Sequence, residues 1–178
     1  MDFNQRLDKL CNLVENYPVL EGAKNWLIAN EFLSAPASTK YHGSYEGGLF
    51  DHSFNVAVVL QDLTEKLELE WERPESSVII GLLHDVCKLD NYKATDYETY
   101  AYNENPFYKG HGDKSVILLA SQLQLTEEEV ACIRYHMGAF TDKAEWSDYT
   151  NAIHRYPNVL WTHTADMVAT HIMEVERV

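Results

Sequence analysis

Apolar side chains recur every three to four residues through most of this chain, the period of helices that bury one face. Phe3, Leu7, Leu10, Cys11 and Val14 keep that interval and Pro18 follows, which predicts an opening helix ending near Tyr17. A second short helix is expected over residues 21–32, and residues 33–48, rich in Ser, Ala, Gly and Pro, read as loop. Over residues 49–69, Val56, Val59, Leu60, Leu63 and Leu67 repeat at helical spacing. One turn back from Val56 lies His52, so its imidazole should face the core from the first turn. Pro74 suits the first turn of the next helix, whose segment SSVIIGLLHDVCKL is apolar nearly all round and is therefore expected at the centre.

Residues 90–110 change character, with tyrosines, Asn and Glu interspersed and Pro106 near the end. They predict a long connection with room for a small β-hairpin, the kind of segment that forms a lid or wall beside a site. His111 opens GHGDKSVILLASQLQ, a predicted helix with Val116, Leu119, Ala120 and Leu123 inward. Thr126 and Glu129 have the spacing of a capping box for a helix running to about Met137, with His136 at its C-terminal end. Pro157 starts a last helix on which Leu160, His163, Thr164, Met167, Val168 and His171 share helical spacing, with Asp166 on an adjoining face. Neither repeats nor low-complexity tracts interrupt this pattern. The expected class is all-α, and 178 residues that are 46% hydrophobic suit a single domain, residues 1–178, around one core.

Composition narrows the setting. No signal peptide is evident in the acidic, amphipathic first residues, and no apolar stretch approaches the roughly 20 residues that span a bilayer, so a cytoplasmic protein without membrane attachment is expected. Cys11, Cys87 and Cys132 are too scattered for a zinc knuckle and odd in number, which suits reduced core thiols. A formal net charge of −14 without a Lys/Arg cluster argues against a long nucleic-acid duplex as partner. A small phosphorylated substrate, a nucleotide or a short single strand is the expected partner, and the oligomeric state stays open.

The chemistry lies in scattered imidazoles and carboxylates: His52, His84, Asp85, His111, His136 and Asp166, each on or beside a predicted helix. Neutral imidazoles bind divalent transition ions, and a short carboxylate can bridge two of them. A His-Asp pair alone proves little, since eight histidines and eleven aspartates give about 0.5 such pairs by chance. Context strengthens it, because an ionised Asp85 near the end of the most hydrophobic helix is costly unless paired or metal-bound. A one- or two-metal hydrolytic site follows, with Mn, Fe, Co, Ni or Zn, or Mg, as the ion.

The pieces YHGSYEGGLFDHSFNVA, GLLHDVCKLD, YKGHGDKSVILLA, IRYHMG and THTADMVAT, running from Tyr41 to Ala169, together resemble the HD-domain metal-dependent phosphohydrolases. Their nearest likeness is to small phage-type proteins and to the HD domain of bacterial 3′-5′ exoribonucleases. The resemblance implies a compact helical HD bundle with a core over about 41–169 and N-terminal helices over 2–32 packed on it. It also implies that His52, His84, Asp85 and Asp166 hold a first metal and that, in the two-metal branch, Asp85 bridges to a second held by His111 and His136. Two departures stand out: Cys87 replaces a common glycine, and Met137 follows His136 where some relatives carry a second histidine.

Asp85 would then orient or deprotonate the attacking water, and Lys88, three residues on, would meet phosphate as a point charge. Lys109, Lys114 and Tyr45 are further candidates for substrate contact, with Tyr41 and Tyr108 as stacking surfaces. His163 is a candidate supporting group, while His42, His154 and His171 read as surface or core histidines. The expected reaction is hydrolysis of a phosphate mono- or diester of a nucleotide or short oligonucleotide. An oxygenase with a di-iron centre acting on a small polar substrate is the alternative, and a non-catalytic nucleotide-binding module a lesser one.

Overall fold

In the computed structural model, which describes residues 1–95 and 99–175, the elements follow the apolar period closely. Helix α1 covers Phe3–Asn16, opened by a capping box between Asp2 and Gln5, and α2 covers Glu21–Ala29 after a 3₁₀ turn at Pro18–Leu20. Helix α3, Gly48–Leu67, and α4, Ser76–Leu83, form the central pair, and all eight residues of α4 are buried, as its apolar sequence requires. A 3₁₀ turn at Val86–Asp90 leads into a two-stranded antiparallel hairpin, β1 Tyr92–Ala94 with β2 Tyr100–Tyr102, in which Tyr92 pairs with Tyr102. Its connecting residues 96–98, including one of the expected tyrosines, lie outside the described residues. Helices α5 Gly112–Leu119, α6 Glu127–Tyr135, α7 Trp146–Arg155 and α8 Asn158–Val168 complete the bundle, and a π-turn, Ala169–Met173, extends α8. The fold is all-α with one small hairpin.

Three expectations need correction. Helix α7 has no counterpart in the sequence reading: Tyr149, Ala152 and Ile153 pack against the core from one side, but the stripe is about one turn long and none of its residues is fully buried. On α8 the buried face is Asn158, Val159, Thr162 and Ala165, whereas Leu160 is exposed, so the stripe is rotated from the expected one. Small and polar residues face inward there because Asn158 donates to Glu128 Oε1 at 2.8 Å and Thr162 to the Asn158 carbonyl at 2.9 Å. On α5, Ala120 is exposed and Lys114 is fully buried. Its ammonium donates to Asp90 and to Asn91 Oδ1, the latter at 2.7 Å, tying α5 to the base of the hairpin.

Glycine sets two close approaches. A Cβ on Gly81 would collide with the Ala57 backbone, so α3 and α4 cross with little between them. A Cβ on Gly112 would meet the Arg134 carbonyl, which brings the start of α5 against the end of α6. A buried polar network clamps the other end of the bundle. Glu129 accepts two bonds from Arg73, at 2.7 and 2.6 Å, and one from Ser76 at 2.8 Å, while holding the capping box of α6 with Thr126.

Gly81→Ala should lower stability by about 1–3 kcal/mol through overpacking, read as a shift in the urea midpoint. Lys114→Ala should lower it by about 1–2 kcal/mol, since Asp90 keeps some access to water. An unchanged midpoint for Gly81→Ala would mean that the helices can separate without penalty, contrary to the crossing described.

Candidate metal centre

Four helix ends and two helix faces deliver the six candidate ligands. His52 projects from the second turn of α3, and Asp166 from the last turns of α8. His84 and His136 are the residues at which α4 and α6 stop, and His111 is the residue before α5 begins. At Asp85 the backbone leaves the helix (φ −107°, ψ 16°) for the 3₁₀ turn, which swings its carboxylate away from the α4 axis. His84 and Asp85 thus converge at a helix end.

Asp85, with 2% of its surface exposed, is the shared member. Its Oδ2 lies 3.5 Å from His84 Nε2 and 3.7 Å from His52 Nε2, while its Oδ1 lies 3.0 Å from His111 Nε2 and 3.4 Å from His136 Nε2. Asp166 Oδ1 is 3.3 Å from His52 Nε2. The ligand atoms of His52, His84 and Asp85, of His84, His136 and Asp166, and of Asp85, His111 and His136 each lie within 4.8 Å of one another. Each oxygen of Asp85 therefore faces its own pair of imidazoles.

Hydrogen bonds on the far side of the rings fix which nitrogen faces inward. His84 Nδ1 donates to the Gly81 carbonyl at 2.9 Å and His136 Nδ1 to the Ile133 carbonyl at 2.7 Å. His52 Nδ1 donates to Glu174 Oε1 at 3.1 Å. In neutral rings so held, Nε2 carries a lone pair. The Nε2 atoms of His52, His84 and His136 are buried without a hydrogen-bond partner, close to carboxylates but misaligned for bonding to them. Buried, unpartnered lone pairs converging with two carboxylates are what a divalent transition ion takes up, and this donor set fits one or two.

The electrostatics call for positive charge. Burial works to raise the Asp85 carboxyl, but Lys88, His84 and His111 outweigh it and hold it well below the usual range. Burial works to lower Lys88, yet Asp85, 2.6 Å away, keeps it an ammonium. His84 is pushed down to about 3 by burial, which keeps it neutral. At His52, burial opposes protonation, but Asp166 and Glu174 prevail and lift it to about 9. Cys87 Sγ sits 3.3 Å from His111 Nδ1 and burial pushes its thiol up to about 12, so it stays protonated beside the centre.

A cavity of about 530 Å³ opens onto Asp85, His111 and Asp166. Lys88 lines it, largely buried, so it is not the solvated helix end that its position at a turn would allow. Tyr41 from the loop before α3, Tyr92 and Tyr102 from the hairpin, and Phe140 add aromatic walls. Three other expected substrate contacts are placed elsewhere. Tyr45 donates to Asp51 Oδ2 at 3.1 Å, Lys109 is exposed away from the lining, and Lys114 is spent on Asp90 and Asn91 as described. Tyr108 meets Phe107 edge to face, with ring centres 4.6 Å apart.

His163 donates from Nδ1 to the His136 carbonyl at 2.9 Å and lines the cavity with His171, whereas His154 is exposed on α7. Sequence reasoning missed two members of the site. His42, its ring centre 4.8 Å from that of His52, lines the cavity. Glu174 carried no signal at all, since it follows the last apolar period.

The model of the HD domain family matches residues 49–166, well over half of the chain and including all six candidate ligands. A 3′-5′ exoribonuclease YhaM from Oceanobacillus iheyensis is 28% identical over 141 residues, covering 78% of this chain and 43% of that protein. A dihydroneopterin 2′,3′-cyclic phosphate phosphodiesterase from Methanocaldococcus jannaschii is 39% identical over 61 residues, covering 33% of this chain and 24% of its own length. The chain thus spans less than half the length of the curated relatives it matches. No solved structure matches it. Among the described residues no helix is long and apolar enough to cross a membrane. The extent of the family match, taken with a His-Asp pair at the heart of the helical bundle, means that the chain belongs to the HD domain family.

Proposed function

We propose that this protein is a metal-dependent phosphohydrolase that cleaves a phosphodiester of a nucleotide or the end of a short single strand. The observation that carries this reading is the split of Asp85, one oxygen toward His52 and His84 and the other toward His111 and His136, with Lys88 beside it on the cavity wall. His52, His84, Asp85 and Asp166 would hold one ion, and Asp85, His111 and His136 a second. A bound divalent ion supplies a water acidified toward neutral pH and polarises phosphoryl oxygens.

The chain's own groups do the rest. Asp85, held ionised, accepts a hydrogen bond from the attacking water and orients it. Lys88 already touches Asp85 Oδ2 at 2.6 Å, so its ammonium can meet a phosphoryl oxygen entering from the cavity without leaving the pair far behind. Tyr92 and Tyr102, with ring centres 5.4 Å apart, offer flat faces for a base, as do Tyr41 and Phe140. A cavity of about 530 Å³ suits one nucleotide unit, and the net charge of −14 disfavours a long polyanion. The two relatives, an exoribonuclease and a cyclic-phosphate phosphodiesterase by name, support a diester over a triphosphate.

Metal analysis followed by assay on mononucleotides, cyclic nucleotides and short single strands with Mn, Co, Ni, Zn or Mg tests this. Asp85→Ala should lose at least about 10³-fold in kcat/KM together with bound metal. Lys88→Ala should keep its metal and lose about 10²-fold. Tyr102→Ala should raise KM for nucleotides, at about 1–3 kcal/mol per lost stacking contact, with little change in kcat. Protein that neither binds metal nor cleaves any phosphoester would end the reading. An iron signal in anaerobically purified protein that lacks hydrolysis would favour oxygen activation instead.

A further inference from the structure

Glu174 lies beyond the segment that matches the family, yet its carboxylate reaches the metal centre. It accepts from His52 Nδ1 at 3.1 Å and from Asn55 Nδ2 at 3.1 Å, with 11% of its side chain exposed. The route to it is the π-turn Ala169–Met173, closed by a bond from the Glu174 amide to the Ala169 carbonyl at 3.1 Å. Eight residues of regular α-helix, at about 100° each, would leave position 174 roughly 80° around the cylinder from Asp166. A π-turn advances less per residue, about 85°, and over five of those steps closes most of the gap. Asp166 and Glu174 consequently approach His52 from the same element, one at each ring nitrogen.

The other rings are supported differently. His84 and His136 give their Nδ1 protons to backbone carbonyls, and His111 meets the Cys87 thiol. Among the described residues, His52 is the one of these rings whose outward nitrogen, Nδ1, meets a carboxylate, which both orients an imidazole and makes its other nitrogen a stronger donor to a cation. Asn55, one turn beyond His52 on α3, anchors the same carboxylate oxygen and prevents it from rotating away. Glu174 is absent from the cavity lining, so its influence passes through His52.

We propose that Glu174 is a positioning residue for the metal centre: it holds His52 with its proton on Nδ1 and Nε2 directed inward, and the π-turn is the device that delivers it. This rests on the reading of the site as metal-binding and not on which ester is cleaved.

The test uses the full chain, with metal affinity measured by competition between the protein and a chelating dye for Mn or Zn, and the protonated nitrogen of His52 read by imidazole ¹⁵N NMR of the zinc-loaded protein. Glu174→Ala is expected to weaken the tightest site by about 10–100-fold and to abolish the single Nδ1-protonated form of His52. Glu174→Gln, which keeps an acceptor but no charge, should hold the tautomer and lose only a few-fold in affinity. Should Glu174→Ala fail to fold, Asn55→Ala carries the test, with several-fold weaker binding expected. Wild-type affinity and an unchanged tautomer in folded Glu174→Ala would overturn the proposal. Weakened binding by Glu174→Ala, in a protein that cleaves no phosphoester, would sustain it while ending the hydrolase reading.

Discussion

An aspartate carboxylate stands in the middle of this bundle with almost no access to water, and desolvating it costs several kcal/mol unless positive charge is supplied. Lys88 supplies one charge at 2.6 Å. Four imidazoles surround the remaining lone pairs, and burial draws two of them, His84 and His111, toward the neutral form. Helices α4 and α6 aim their C-terminal ends at the same place, adding the negative end of two helix dipoles. Carboxylates, lone pairs and helix C-termini thus accumulate around a single lysine. The imbalance favours added cationic charge, and Asp166 and Glu174 accordingly draw His52 toward protonation.

Packing sets the spacing that this electrostatic arrangement needs. The Gly81 contact with Ala57 brings α3 and α4 together one turn from His84 and five residues from His52, and the two rings end with centres 5.4 Å apart. The Gly112 contact with Arg134 does the same for His111 and His136, at 4.9 Å. A methyl group at either glycine would separate a pair of ligands as well as a pair of helices. Core packing and ligand geometry are therefore one constraint, and the site inherits the rigidity of the bundle.

What could be read from the sequence follows from what leaves a periodic trace. Helices α1, α3, α4 and α6 bury continuous apolar stripes or open with capping boxes, so their positions were legible, as was His52 one turn before Val56. A His-Asp pair closing a fully apolar helix was equally plain, because an unpaired charge there is too costly to be incidental. Lys114 was misjudged because a lysine flanked by Asp113 and Ser115 looks solvated, and nothing local reveals the Asp90 and Asn91 acceptors more than twenty residues earlier. The inward face of α8 slipped because its buried contacts are made by Asn158 and Thr162, which a hydrophobic stripe ignores. Tyr45 was drawn toward Asp51 by a network that includes Arg6, and no spacing rule encodes that contact.

That last network bears on what the centre requires. Asp51 adjoins His52 in sequence, and a free carboxylate there would add another negative group beside the ligands. Arg6 instead takes both its oxygens, at 2.9 and 3.1 Å, from the buried face of α1. The same guanidinium occupies the space a side chain at Gly47 would fill, which holds the turn entering α3. At the other end, Glu174 engages the far nitrogen of His52 through the π-turn. All six candidate ligands lie within the segment common to the family, whereas Arg6 and Glu174, which between them fix the neighbourhood of His52, lie outside it on opposite sides. The flanking helices are in this sense part of the centre: they decide which carboxylates near His52 are withheld from an ion and which are turned toward its support.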